Sequence, residues 1–281
     1  MDSRSLLNKA AVALRQSLKQ SHEIASLEAV VLLSHAWKKN KAYIYSHPEI
    51  SVPTVVEQQF NNLLKRRVRN IPLAYITGQK EFYGLEFKVN EATLIPRPAS
   101  ELFLDKLATI QPRKKTIADI GTGSGALIIT SAKLWPDNDF IATDISPRAL
   151  QTARQNARLH HCGGIGFIKH DLLPPAVNPD IVMANLPYLP PDKMNDPSVQ
   201  AEPSLALYGG ADGLKLYRRL LRQIFSRLHT PSMIMMEAEP DDIPRLRKIA
   251  QLYDTENNYR WQIDEDIYGH SRLLTGRRFD R

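Results

Sequence analysis

The residues best suited to chemistry in this sequence are Asn185, Leu186, Pro187 and Tyr188, which directly follow the apolar run Ile181-Val182-Met183-Ala184. The Asn185 side-chain oxygen and the Leu186 main-chain carbonyl are two acceptors, and Tyr188 supplies a ring that can stack on a planar group. Pro187 holds Leu186 extended, which fixes where the carbonyls point. Such a set can grip an NH₂ group by both hydrogens and present its nitrogen in line to an electrophile. Methylation of an amide or exocyclic amino nitrogen needs this, because the lone pair is delocalised into a neighbouring π-system and no strong base helps. A strand-ending turn with a buried tyrosine is the alternative, and it leaves the coincidence with two further motifs unexplained.

The first of these is Asp119-Ile120-Gly121-Thr122-Gly123-Ser124-Gly125-Ala126, after one apolar run and before a helical one. Gly121, Gly123 and Ala126 satisfy the dinucleotide pattern, while Asp119, Gly121, Gly123 and Gly125 satisfy the D-x-G-x-G-x-G pattern of S-adenosylmethionine binders. Asp119 favours the second, since a carboxylate repels a pyrophosphate and suits a ligand carrying a sulfonium and an ammonium. The second motif is Asp144, which ends the next apolar run where an acid can accept hydrogen bonds from ribose hydroxyls. Asp171 follows a third run, with Leu172 beside it to pack on an adenine face; a turn cap is an equal reading of Asp171.

Positioning these residues requires strands that end together. Candidate strands are Thr116 to Ile120, Phe140 to Asp144, Gly166 to Lys169, Asp180 to Ala184, Met233 to Glu237, Tyr259 to Ile263 and Arg272 to Thr275. Helical patterns at Ser100 to Leu107, Ala126 to Leu134, Pro147 to Leu159 and Leu214 to Leu228 lie among them. The alternation predicts a doubly wound α/β domain over 99–281, with ligands at the carboxyl ends of the strands. Residues 1–71 read as helical. Leu7, Ala11, Leu14 and Leu18 mark one amphipathic helix, and Leu27, Val30, Val31, Leu33 and Trp37 a second. Thr54 and Glu57 have capping-box spacing before Phe60, Leu63 and Leu64 in a third. Lys65, Arg66, Arg67 and Arg69 close that region, as complements of a helix dipole or equally as contacts to a nucleic acid or an acidic partner. Residues 72–98 read as a linker in which Glu81 to Tyr83 and Leu85 to Val89 form a hairpin about Gly84, with Val89 to Leu94 pairing back.

Composition narrows the class. The chain has 281 residues, 43% hydrophobic and 24% charged, which fits a globular protein with one large and one small domain. No run approaches the ~20 apolar residues of a membrane span, so no membrane role is expected. Cys162 is the single cysteine, which excludes an intrachain disulfide and a multi-cysteine zinc site; no metal is expected, and a reducing, cytoplasmic setting is. Arg4, Lys9, Arg15 and Lys19 in an acid-poor start leave a transit peptide as a weaker option. His160-His161 reads as a solvated helix end. The formal charge of +7 is a weak pointer to polyanions.

The linker P-L-A-Y-I-T-G-Q-K-E-F-Y-G-L-E-F-K-V-N-E-A-T-L-I-P-R-P at 72–98, the loop A-D-I-G-T-G-S-G-A, T-D-I-S-P-R-A-L, and E-P-S-L-A-L-Y-G-G-A-D-G-L-K-L-Y-R-R-L at 202–220 together resemble the HemK/PrmC family of peptide chain release factor glutamine methyltransferases. S-L-E-A-V-V-L-L-S-H at 26–35 extends the resemblance to the first helices. It implies a seven-stranded, Rossmann-like class I methyltransferase domain behind a small helical substrate-docking domain. By the same resemblance, Asp119, Gly121, Thr122, Gly123, Ser124, Gly125, Asp144, Asp171, Leu172 and Asn185 contact S-adenosylmethionine, and Asn185 to Tyr188 hold the glutamine of the Gly-Gly-Gln loop of class 1 release factors. A monomer that needs no nucleic acid follows. Three positions depart from the family pattern. Leu186 stands where the first proline of Asn-Pro-Pro-Tyr is usual, giving the Asn-Leu-Pro-Tyr of rRNA adenine dimethylases. Ala99-Ser100 replaces an acidic-Thr pair and Glu237-Ala238-Glu239 a Glu-x-Gly, both expected to touch element ends rather than chemistry. An adenine amino methyltransferase acting on RNA or DNA, and a binding protein without turnover, are the alternatives.

Overall fold

The computed structural model describes residues 1–196 and 199–279, and the chain divides into two compact units, Met1–Gly78 and Gln79–Arg281. The first unit is helical: α1 Ser3–Leu18, α2 His22–Trp37, α3 Lys41–Ser46, α4 Thr54–Val68 and α5 Leu73–Thr77. Asp2, Ser21 and Asn40 cap the first three through side-chain oxygens. Thr54 and Glu57 do not form the expected capping box. Pro53 is the N-cap and Thr54 is already inside the helix, so no side chain caps α4. In α2, Val30 and Leu33 are buried as expected, with Ala25, Ala29, Leu32 and Ala36 beside them, whereas Leu27 is 51% exposed. Arg67 leaves the expected basic cluster. It is buried against Glu28 through two hydrogen bonds of 2.8 and 3.1 Å and bonds the Ile71 carbonyl at 3.2 Å, while Lys65, Arg66 and Arg69 face solvent.

The second unit opens with the antiparallel hairpin β1 Gln79–Phe82 and β2 Leu85–Lys88. The stretch 72–98 thus falls on both sides of the division, α5 in one unit and the hairpin in the other. Residues 89–94 do not pair back. The Asn90 side chain accepts the Ala92 amide at 2.9 Å and its carbonyl the Thr93 amide at 3.0 Å, closing a turn instead. His160 is not merely solvated, since its Nε2 meets the Glu86 carbonyl at 2.8 Å.

The remaining elements are α6 Leu102–Ile110, β3 Thr116–Ile120, α7 Ala126–Leu134, β4 Asp139–Asp144, α8 Pro147–Leu159, β5 Gly166–Lys169, β6 Ile181–Ala184, α9 Lys215–Phe225, β7 Met233–Glu237, α10 Ile243–Tyr253, β8 Tyr259–Glu265 and β9 Ser271–Arg278. The sheet order is β5-β4-β3-β6-β7-β9-β8, parallel except that β9 runs antiparallel to both neighbours. Alternation sorts β6 between two cores. Val182 and Ala184 face one with Leu220, Leu221 and Leu246, and Ile181 and Met183 face the other with Phe103, Leu107 and Ile128. A strand covered on both faces is continuously apolar for this reason. The order reverses at β3 and β6, and the crevice beyond their carboxyl ends is where open α/β sheets bind ligands.

Candidate active site

Three strand ends converge on that crevice. The loop after β3, Asp144 at the end of β4 and Asn185 directly after β6 line one cleft of about 740 Å³, a volume suited to a nucleoside-sized ligand with room beside it. Gly121 and Thr122 both donate their amides to the Thr143 carbonyl at 2.9 Å, and Gly123 donates to Asp144 Oδ2 at 2.9 Å. Gly125 has φ of 81°, and a Cβ there would meet Ile129 Cδ1 at 2.8 Å and Ala153 Cβ at 3.1 Å, so α7 and α8 pack against the loop only without a side chain. Ser124 turns its carbonyl to Asn156 Nδ2 at 2.8 Å, and the same Asn156 side chain bonds both main-chain groups of Lys88. The hairpin therefore braces the loop through Asn156.

The carboxylates differ in setting. Asp119 is buried and accepts the Thr122 hydroxyl at 2.6 Å; burial, reinforced by the Asp144 charge, pushes it up to about 7. Asp144 is also raised by burial, although the amides of Gly123 and Ser146 hold its two oxygens at 2.9 and 2.8 Å. Each oxygen keeps a lone pair for a further donor. Asp171 lines the cleft paired to Arg219 at 2.6 Å. Leu172 beside it is 6% exposed with φ of 68°, a left-handed conformation that turns an apolar side chain into the cleft wall. Two acids and an apolar plate suit a nucleoside carrying positive charge, and they oppose a pyrophosphate.

Asn185 Nδ2 donates to Ser100 Oγ at 2.9 Å, leaving Oδ1 without a hydrogen-bond partner among the described residues. Ser100 stands in the helical turn that leads into α6, as expected, and because that turn also runs along the cleft its hydroxyl comes beside Asn185. Leu186 and Pro187 line the cleft, but Tyr188 does not. Its hydroxyl reaches Glu237 Oε1 at 3.4 Å behind the wall, and burial raises its pKa well above the ordinary value. Its half-buried ring packs against the core that holds Leu186 and Tyr217. Glu237, at the end of β7, is 2% exposed and pushed up to about 7 by burial. The Leu186 amide donates at 3.1 Å to the hydroxyl of Tyr217, which is fully buried and also bonds the Glu237 carbonyl.

Sequence reasoning missed the clasp over this wall. Glu202, 6% exposed, accepts the Ile95 amide at 3.0 Å and the Arg97 guanidinium, tying the I-P-R-P segment to the E-P-S-L segment. Leu189 donates to the Leu207 carbonyl at 2.8 Å and accepts from Gly209 at 2.9 Å. A Cβ on Gly209 would lie 2.6 Å from Tyr188 Cα and 2.7 Å from the Pro187 carbonyl oxygen. The Tyr-Gly-Gly spelling at 208–210 was the available signal, since such a close backbone approach admits only glycine.

Residues 6–78 match the family described as "PrmC N-terminal domain", and 97–189 match "Ribosomal protein L11 methyltransferase (PrmA)". The chain is 31% identical over 277 residues to a release factor glutamine methyltransferase of Coxiella burnetii, covering 97% of this chain and 99% of that one. It is 34% identical over 269 residues to the same enzyme of Moorella thermoacetica, covering 93% and 94%. Among solved structures, the catalytic domain of hMettl16 superposes with a TM-score of 0.60 at 14% identity, covering 78% of this chain and 82% of that one, which is a likeness of fold.

Proposed function

The chain belongs to the release factor glutamine methyltransferase family, and from that premise we propose that it methylates the side-chain amide nitrogen of the glutamine in the Gly-Gly-Gln loop of class 1 release factors. The observation that carries this reading is Asn185 Oδ1, an acceptor without a hydrogen-bond partner among the described residues, on a side chain that lines the same cleft as the glycine loop and Leu186. S-adenosylmethionine fits the acid-lined half of the cleft and supplies an electrophilic methyl carbon when bound. The residues of the chain do the rest. Asp144 takes ribose hydroxyls, Leu172 packs on the base, and Asp119 with the loop from Gly121 to Gly125 cradles the charged end. Asp171, tied to Arg219, borders the base.

Asn185 Oδ1 and the Leu186 carbonyl accept the two amide hydrogens of glutamine, which turns its nitrogen toward the methyl carbon. As the nitrogen gains charge these two acceptors strengthen, and that difference between ground and transition state is the catalytic contribution. Pro187 fixes the carbonyl, and Tyr188 holds the tetrad from behind. The helical residues 1–71 dock the protein substrate, 72–98 join them to the methyltransferase residues 99–281, and one copy of the chain supplies every named group. Nucleic acid is not required, and the site of action is the cytoplasm, where release factors work. Incubation with methyl-labelled donor and, separately, a release factor and total RNA, followed by mass spectrometry, tests this. Label on the Gly-Gly-Gln glutamine is expected; label on RNA adenine alone would overturn the assignment.

A further inference from the structure

An asparagine amide has two orientations of nearly equal shape, and only one offers an acceptor to an incoming NH₂; the other presents a competing donor. Something must therefore choose. We infer that Ser100, with the Glu237 carboxylate behind it, is a positioning residue pair that locks the Asn185 amide with Oδ1 toward the cleft. This rests on the reading of Asn185 given above.

Ser100 is 4% exposed and takes the Asn185 Nδ2 hydrogen at 2.9 Å. A hydroxyl has a single proton, and if Ser100 gave it to Asn185 Oδ1 the amide would be reversed. Glu237 prevents the reversal. Its side chain is buried, Tyr188 bonds one oxygen at 3.4 Å, and Oε2 has no hydrogen-bond partner among the described residues. Burial raises its pKa, and Ser100, Arg272, Tyr188 and Asn185 act against that rise. In its ionised form, which prevails above about pH 7, the carboxylate attracts the Ser100 proton and the Asn185 NH₂ and repels Oδ1, so serine and glutamate steer the amide the same way. Ser100, where the chain departs from the family pattern, and Glu237, which keeps its glutamate, thus act on the same amide.

The test uses the full chain with a release factor as substrate, comparing Ser100→Ala, Ser100→Thr and Glu237→Gln. Ser100→Ala should lower kcat about tenfold, the size of one hydrogen bond. KM for the release factor and the affinity for S-adenosylhomocysteine should stay unchanged. Ser100→Thr, which keeps the hydroxyl, should restore kcat, and Glu237→Gln should lower it with Ser100 intact. A merely structural Ser100 would move the unfolding midpoint and not the split between kcat and KM. Wild-type kcat in Ser100→Ala, or a stable Ser100→Thr as impaired as Ser100→Ala, overturns the inference. An Asn185→Ala control that stays active would instead sink the underlying reading of the site, and the inference with it.

Discussion

Replacing Tyr217 by phenylalanine removes one oxygen from a fully buried ring, and the structure allows its cost to be worked out. The hydroxyl accepts the Leu186 amide at 3.1 Å and donates to the Glu237 carbonyl, so its loss leaves a donor and an acceptor unpaired in a dry site. Each orphaned group costs about 1–3 kcal/mol, and relaxation brings the sum to about 2–4 kcal/mol. Leu186→Pro removes the same amide hydrogen from the other side. A proline there would be near neutral if that hydrogen were idle; because Tyr217 uses it, Leu186→Pro should destabilise by about 1–2 kcal/mol. In the Leu186→Pro background, Tyr217→Phe should then cost about 1 kcal/mol less than in the wild type, a coupling expected only of direct partners. Urea unfolding of the four proteins, compared at constant m, reads both numbers. A Tyr217→Phe change under about 0.5 kcal/mol, or strict additivity of the pair, refutes the argument.

Asp144→Ala should weaken S-adenosylhomocysteine binding in calorimetry by about tenfold or more while leaving the chemical step nearly intact, since two main-chain amides already aim this carboxylate; unchanged affinity would remove it from the donor site. Asp119 moves from an ordinary 3.8 to about 7 on folding, and Glu237 from 4.5 to about 7. In that window the folded chain holds more protons than the unfolded one, so stability falls as pH rises from about 4 to about 7 and levels off above, with a slope of at most ~1.4 kcal/mol per pH unit for each group. Asp119→Asn should flatten that decline, and urea midpoints with an unaltered pH slope would contradict the assignment. Gly209→Ala should lower expression of folded protein and its unfolding midpoint, because the new Cβ meets main-chain atoms of Pro187 and Tyr188 that cannot swing aside; a wild-type midpoint would show the clasp to be loose.

What the sequence conveyed was what local pattern encodes. The run 181–184 had to be covered on both faces, the glycine loop had to turn from strand to helix, and Asp144 had to end the neighbouring strand; parallel strands then bring those three ends together. The place of β9 between β7 and β8 was not legible, since strand order depends on packing across the sheet rather than on periodicity. α10 carried a readable signal in Ile243, Leu246 and Ala250 that Pro244 in its first turn obscured. The Thr54 spacing misled because a capping pattern does not say which residue stands outside the helix when proline precedes it. Long-range partners were hidden altogether: Ser100 and Asn185 are 85 residues apart and Leu186 and Tyr217 31 apart, and only the path of the intervening chain makes them neighbours. For that reason neither the bond from Asn185 to Ser100 nor the contact of Tyr188 with Glu237 could be read in advance.

The role proposed for Asn185 is to act through its amide oxygen on the transition state. Single-turnover methyl transfer to a release factor by Asn185→Ala, measured beside its unfolding midpoint, tests it most directly. A loss on the order of 10²-fold or more is expected, with stability held within about 1 kcal/mol, since the truncated side chain fills no core volume. Turnover near that of the wild type would contradict it.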